Sequence, residues 1–551
     1  MKKVLLLFMS ISFCFNTMSS ETITIENGLF GIDLNKKLIV VNQDVESINA
    51  GGTQLMEAIL IDNQLYTIEL PVNSVQVGVA YSIKDSEGKI YKLYFTQLPL
   101  IHIATANTIV DEPKVAATFT IAESNSNQFT SDIGIEIRGG VSQWYSKKSY
   151  RIEFWTNPAR EETKDVSLLG MREDDDWNLQ AMYNEPLRIR NKTNVNLWRK
   201  INTLYYQTQE ADAMNGSRWE YAELFLNGNY HGVYGVCEPI DRKQLKLKKY
   251  NETDGIRGEL YYGKDWGNGT VTFDKCPSFS NNRSTWDGFE YKYPDEVNPN
   301  WRNLYDFVHF VIYSSNETVY SQYSTWFNQE NAVDYFIFLN LLRATDNTGK
   351  NIFIAKYKAN EPYFYVPWDL DGTFGINWTG LHENVTNDLL TNGFYRKLLK
   401  DNSINGFNVK VKQKWNQLRN DWLTPSNLID LFYENYNYLL QNGVYAREQM
   451  AWTSYSYNVQ DLSYMSDWIT KRINYLDRKF NEGTDIKTIQ ESSSYTDVDV
   501  RVYNMSGQIV KFVHLDFVEK DLLLSKLSLP AGIYIVQIQN SNLCEVRKIK
   551  I

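Results

Sequence analysis

Histidine and cysteine are scarce in this chain, and the chemistry they usually carry is argued against by their absence. Among 551 residues there are five histidines (His102, His231, His309, His382, His514) and four cysteines. No two histidines stand at the close helical spacing of a zinc protease and no cysteines form a C-x-x-C pair, so zinc hydrolase and thiolate–metal chemistry are not expected. Basic residues are outnumbered as well: 56 Lys and Arg face 66 Asp and Glu, a net charge of −10. A chain of that sign has no global positive field to hold a phosphate backbone, which argues against nucleic acid as a partner. Beyond the first 15 residues no apolar run approaches the ~20 residues of a membrane-spanning helix, so no transmembrane segment is expected.

What is present suits a folded protein: 43% of residues are hydrophobic and 14% aromatic, and the length suggests about two to four domains. Residues 1–20 place two lysines before an apolar run (Val4 to Phe15) and then small polar residues, the pattern of a secretory signal peptide. Phe13 stands where a lipid-anchored signal would need a small residue before Cys14. Without Cys14 three cysteines remain, and an odd number permits at most one intramolecular disulfide. Cys237 with Cys276 is the candidate pair, and three unpaired thiols are the alternative.

From 21 to about 110 apolar and polar residues alternate between Gly-rich turns, which predicts a small antiparallel β domain. Residues 111–482 mix strands such as IGIEIRGG and YRIEFW with helical stretches such as VDYFIFLNLLRAT, an α+β core large enough to bury a cleft. A Ser- and Thr-rich linker begins near Thr484, and alternating strands return before the C-terminus, so 483–551 reads as a linker and a terminal β module.

Four clusters in the middle region carry residue types that phosphate chemistry needs. The first is Arg138-Gly139-Gly140 followed by Lys147-Lys148 at the start of the next strand: glycines let backbone N–H groups approach an anion, and a lysine on the neighbouring strand reaches its phosphates. A plain hairpin with a solvated Lys pair is the ordinary alternative. The second is Asp174-Asp175-Asp176 followed by Arg188-Ile189-Arg190-Asn191, where Arg190 either clamps an anion or holds a carboxylate. The third is the hairpin around Asn227-Gly228, whose second strand leaves through Glu238-Pro239, the layout that frames a nucleotide base in kinase-like folds. The fourth is Asp346-x-x-x-x-Asn351, then a β-hairpin, then Asp369-Leu370-Asp371-Gly372. One Asp there orients a hydroxyl proton while an amide and further carboxylates offer hard oxygens to Mg²⁺; a Ca²⁺ site or helix caps are the alternatives.

Taken in this order, the stretches IEIRGG…SKKSYRIEF, DDDWNLQAMYNEPLRIRN, FLNGNYHGVYGVCEPID, ATDNTGKN and VPWDLDGTFG resemble the CotH spore-coat kinase family, an atypical secretory branch of the protein-kinase-like fold. The resemblance implies an atypical kinase-like core, Mg²⁺ or Mn²⁺ with ATP as co-substrate, and transfer of the γ-phosphate to Ser or Thr of a secreted or surface protein. It also implies catalytic roles for Asp346 and for Lys147 or Lys148. Arg138, Gly139, Gly140, Arg190 and Glu238 would bind the nucleotide, and Asn351, Asp369 and Asp371 the metal. One departure stands out: Glu185 occupies the place of the Asp expected five residues before Arg190. The last segment is similar to the C-terminal sorting domain of type IX secretion, in Asn504–Val510, Leu529–Ile535 and Lys548–Ile551. That similarity implies a β-sandwich, the type IX machinery as a partner and a secreted or cell-surface location. Two further readings compete with the kinase: a catalytically inactive surface or adhesion protein on a kinase-like scaffold, and a metal phosphoesterase using Asp369 and Asp371.

Overall fold

The computed structural model describes residues 20–50, 55–123, 128–481, 494–504, 509–519, 527–530, 532–539 and 544–550. All of the expected signal peptide but Ser20, nearly all of the expected linker and part of the Asn504–Val510 turn lie outside the described residues. The chain divides into two units, 1–481 and 482–551; the first mixes helix and sheet, so the chain as a whole is α+β, and the second is sheet.

The first unit begins with a seven-stranded sheet running from Ser20–Thr24 to Ile90–Phe95. Alternation predicts its strands but not their partners. The sheet is mixed rather than antiparallel, because Ser20–Thr24 runs parallel to Leu55–Ile61 and Leu38–Val41 parallel to Ile90–Phe95.

Next comes a closed seven-stranded barrel, ordered Gln128–Arg138, Ser149–Trp155, Asp176–Gln180, Asn229–Cys237, Trp219–Leu226, Leu100–Ala104 and Val115–Ala122. It closes where Leu100–Ala104 runs parallel to Trp219–Leu226, so the expected boundary near residue 110 cuts through it. Its interior is filled by Ile101, Phe119, Ile133, Ile135, Phe154, Trp177, Leu179, Leu224 and Val236.

The remainder of the unit is helical around a five-stranded sheet. Its centre is the helix Gln329–Leu342, buried on every side from Asn331 onward, as an all-round apolar helix must be. Asn328 caps its start by accepting from the Asn331 N–H, and Arg343, at φ 52°, ends it and turns the chain toward Asp346.

The N-terminal sheet is fastened to the last helices of the unit. Arg447, in the helix Val444–Ala451, forms a fully buried ion pair with Glu223 of the barrel. Glu223 also accepts from Thr96 Oγ1 at 2.9 Å and Tyr230 OH at 2.5 Å, and Asn442 Oδ1 accepts from the Gln97 N–H at 2.6 Å. Beside them Gly78 and Gly443 meet backbone to backbone; a Cβ on Gly78 would sit 2.1 Å from Gln441 O, and one on Gly443 2.5 Å from Gly78 O.

Cys237 is buried and Cys276 half-buried, and both are free thiols, so the candidate disulfide is not made. The C-terminal unit is a single four-stranded antiparallel sheet among the described residues, in place of the expected sandwich. Its order is Ile509–Glu519, Ser494–Tyr503, Ile533–Gln539 and Cys544–Lys550, and Val498, Val500, Val502, Val536 and Ile538 are buried. No helix among the described residues is long and apolar enough to cross a membrane.

Two histidines give the first unit an acid sensitivity. His102 stacks on Phe225 with ring centroids 5.1 Å apart, and among the described residues neither its Nε2 nor the Nδ1 of His231 has a hydrogen-bond partner. Burial pulls each down to about 4. Between that value and the unfolded one near 6.5 only the unfolded chain takes up these protons. Stability is therefore complete above pH ~6.5 and falls as pH drops toward 4, by up to about 3 kcal/mol per histidine. The urea midpoint from pH 7.5 to 4.5 should drop less steeply in His102→Gln than in the parent; identical slopes would contradict this.

Candidate active site

A cleft of about 1200 Å³ opens between the barrel and the helical half, and most residues singled out by the sequence line it. One wall is the end of the strand Gln128–Arg138 and the turn after it. Gly139 holds φ 109°, and a Cβ there would meet Ser142 Oγ at 2.0 Å, so the turn requires glycine. Beyond its two chain neighbours, no atom of the described residues lies within 4 Å of where a Gly140 Cβ would stand, leaving open space for a group to approach the backbone. Arg138 lies over the Trp368 ring, 5.5 Å from its centroid.

Geometry resolves the two lysines. Lys147 lines the cleft at 1% exposure, its Nζ donating to Val233 O at 2.6 Å and to Glu448 Oε1 at 2.7 Å. Burial pulls its amine down to about 8, the Glu448 carboxylate opposing that fall and Arg188 adding to it. Lys148 is not among the lining residues; its Nζ donates to Gln143 O at 2.5 Å and so pins the glycine turn.

The opposite wall descends from the central helix. Asp346 opens a short 3₁₀ turn, and Lys350 Nζ donates to its Oδ2 at 3.4 Å. Asn347, buried below, donates to the carbonyls of Asn351 and Trp368 at 2.8 Å each and so joins the two ends of the β-hairpin. That join brings Asn351 to Asp369: Nδ2 donates to Oδ2 at 3.4 Å, while Asn351 Oδ1 accepts from Tyr262 OH at 3.1 Å. Both residues sit in left-handed backbone, φ 55° and 53°, a cost that persists where surrounding structure enforces it, often at functional sites.

Asp369 is open to the cleft and Asp371 half-buried. The enclosing walls raise the Asp369 carboxyl above the usual range, with Arg138 and Lys350 pulling it back and Asp346 pushing it up. Asp371 rises well above that range, through burial first and then the charge of Asp369. A run of carboxyls in which Asp346 raises Asp369 and Asp369 raises Asp371 forms a set of hard oxygens that suits a divalent cation.

Two expected nucleotide ligands are not available to a ligand. Arg190 is buried away from the cleft lining: NH1 donates to Glu185 Oε1 at 2.5 Å and Nε to Thr373 O at 2.9 Å. It takes the carboxylate-holding role, and with Asn191 and Asn194 it secures the Leu370–Thr373 loop. Glu185 in turn accepts from the backbone N–H groups of Leu187, Ile189 and Arg190, tying down the start of the helix Arg190–Ile201. Glu238 has no exposed surface and is spent on Arg218, Gln244 and the backbone of Arg172. Its neighbours Pro239 and Ile240 line the cleft instead.

Sequence reasoning missed Glu448. Besides Lys147, it accepts from the Val233 N–H at 2.6 Å and pairs with Arg188 at 3.3 Å. Gly232, at φ 86°, leaves the room, since a Cβ there would lie 2.0 Å from Glu448 Oε1. Asp174 and Asp175, the acidic run of the second cluster, are held by Lys243 at 2.8 and 2.6 Å.

A family model described as CotH kinase protein matches residues 135–476, and one described as a secretion system C-terminal sorting domain matches residues 482–551. The inner spore coat protein H of Bacillus subtilis (strain 168) is 24% identical over 253 residues, 45% of this chain and 60% of that protein's length.

Proposed function

Because the chain belongs to the CotH kinase protein family, we propose that it is an exported phosphotransferase carrying the γ-phosphate of ATP to a Ser or Thr hydroxyl of a secreted or surface protein. The sorting domain supports export with the type IX machinery as partner, and the N-terminal signal peptide remains part of this proposal. The observation that carries the reading is the pairing of Asn351 with Asp369, both in left-handed backbone, across a cleft from the open Gly139-Gly140 turn.

In this reading the Gly139-Gly140 backbone and Arg138 receive the phosphates, and Lys147 is held for them by Glu448. Asn351, Asp369 and Asp371 would hold Mg²⁺ or Mn²⁺, which when bound offsets negative charge on the phosphates. Asp346, half-buried and paired with Lys350, takes the proton from the acceptor hydroxyl.

The test is incubation of the full chain with γ-labelled ATP and Mg²⁺ or Mn²⁺, beside Asp346→Ala and Asp369→Ala. Metal-dependent label on the protein or on casein, lost in both variants, is the expected result. A folded protein with neither label nor an ATP-induced thermal shift would favour the inactive adhesion protein, and phosphate release from simple esters without ATP the phosphoesterase.

A further inference from the structure

The two ends of the cleft differ in chemistry. The end beside Pro239 and Ile240 is crowded with charge, including Asp111, Glu112, Glu136, Asp295 and Glu296. The other end is aromatic: Val141, Tyr145, Tyr183 and Trp378 line it, with Trp144 and Leu381 in the two flanking turns. Apolar groups there face water in a protein that buries most of its aromatics. Trp144 is 88% exposed, Leu381 66%, Val141 55% and Trp378 49%. Exposed apolar groups gathered on one rim, rather than scattered, mark a contact surface.

This rim is fixed in place. Tyr145 stacks on Tyr183 at 4.9 Å, and Asn184 Nδ2 donates to Tyr145 OH at 3.0 Å and to Trp378 O at 2.8 Å, bridging the two sides. Gly380 approaches so closely that a Cβ would lie 1.9 Å from Asn184 O. The Trp144 turn is held by Lys148 and by Gln143 Nε2 donating to Gly139 O at 2.7 Å. The rim is also joined to the acidic loop, because a Cβ on Gly372 would stand 2.9 Å from the Trp378 backbone N. Trp378 thus borders the loop that carries Asp369 and Asp371.

We propose that this aromatic rim seats the acceptor polypeptide, and that the acceptor is an extended segment whose hydroxyl residue is flanked by apolar or aromatic side chains. The inference rests on the phosphotransferase reading and names its substrate class. Two features select that occupant: the rim continues into the cleft, and tryptophan and tyrosine are the side chains most often dominant in peptide and protein recognition. Trp144 and Trp378 act as specificity-determining residues.

The experiment uses the full chain and a set of synthetic peptides with one central Ser, flanked by Phe and Leu, by Ala, by Lys, or by Glu. Transfer of label and binding of fluorescein-tagged peptide without ATP, read by anisotropy, are measured in parallel. The expected result is a kcat/KM about tenfold higher for the Phe/Leu-flanked peptide than for the Ala-flanked one. That preference should shrink below about twofold in Trp144→Ala and in Trp378→Ala, with KM for ATP little moved, and Trp144→Phe should restore it. Both tryptophans are partly in water, so truncation leaves the core packing intact. Transfer that prefers Lys- or Glu-flanked peptides, or ignores both truncations, overturns the rim while leaving the phosphotransferase standing. Rim-dependent binding with no transfer to any peptide leaves the rim standing and removes the phosphotransferase.

Discussion

Glu448→Ala is expected to destabilise the first unit by about 3–5 kcal/mol. The carboxylate it removes is the counter-ion of two buried cations, Lys147 at 2.7 Å and Arg188 at 3.3 Å. The intact pair contributes less than that loss, because burying all three charges already carried a desolvation cost. What the substitution adds is an uncompensated Lys147 ammonium in a place where burial has already pulled its pKa down to about 8. Arg188 fares better, since its NH1 keeps the carbonyls of Met182, Tyr183 and Glu185. Lys147→Met combined with Glu448→Leu should therefore recover much of the loss, as apolar replacements of buried ion pairs often do. Gly232→Ala should act in the same direction by displacing the carboxylate. Urea unfolding decides the matter: a loss below about 1 kcal/mol in Glu448→Ala would show that the pair holds nothing together.

Asp369→Ala is expected to reduce metal-dependent label transfer by about 10²–10³-fold or more, the scale seen when one preorganised electrostatic group is removed from a reaction centre. The loss should be accompanied by disappearance of the ATP- and metal-induced thermal shift, with little change in the stability of the protein alone. That last point follows from the setting of the residue. Asp369 is open to the cleft, and its one described side-chain hydrogen bond is the 3.4 Å contact from Asn351. Its φ of 53° is strained for Ala as well, so Asp369→Asn, which tolerates that backbone better, separates backbone effects from charge. Full activity in Asp369→Asn would remove Asp369 from the cation-holding role.

The site was readable where its signals are local. The Gly139-Gly140 turn, the Asp346–Asn351 spacing and the acidic pair after the hairpin each span a few residues, and the fold brings all of them to one cleft. Glu448 gave no such signal, because it stands 301 residues from Lys147 and nothing in ARE distinguishes it from a solvated helical glutamate. Arg190 and Glu238 were misjudged for a related reason. A charged residue beside a cleft motif serves a ligand or the scaffold according to which partners reach it, and those partners (Glu185, Thr373, Arg218, Gln244) become neighbours only on folding. Alternation likewise identified strands in the first hundred residues but carried no pairing information, so Leu100–Ala104 was grouped with the sheet before it rather than with the barrel it closes.

Closure of that barrel bears on how this protein is cut into pieces for study. The CotH match starts at residue 135, inside the strand Gln128–Arg138, and a fragment begun there would lack Leu100–Ala104 and Val115–Ala122 altogether. Two staves would be missing, and the Trp219–Leu226 strand and the remnant of Gln128–Arg138 would each present bare N–H and C=O groups, an invitation to aggregate. A fragment begun at 111 restores only one stave and still removes Thr96 from Glu223 and Gly78 from Gly443. The shortest expressible piece is therefore the whole of the first unit, from the N-terminal sheet to Asn481, and insolubility of shorter pieces would report an opened barrel rather than an unstable parent fold.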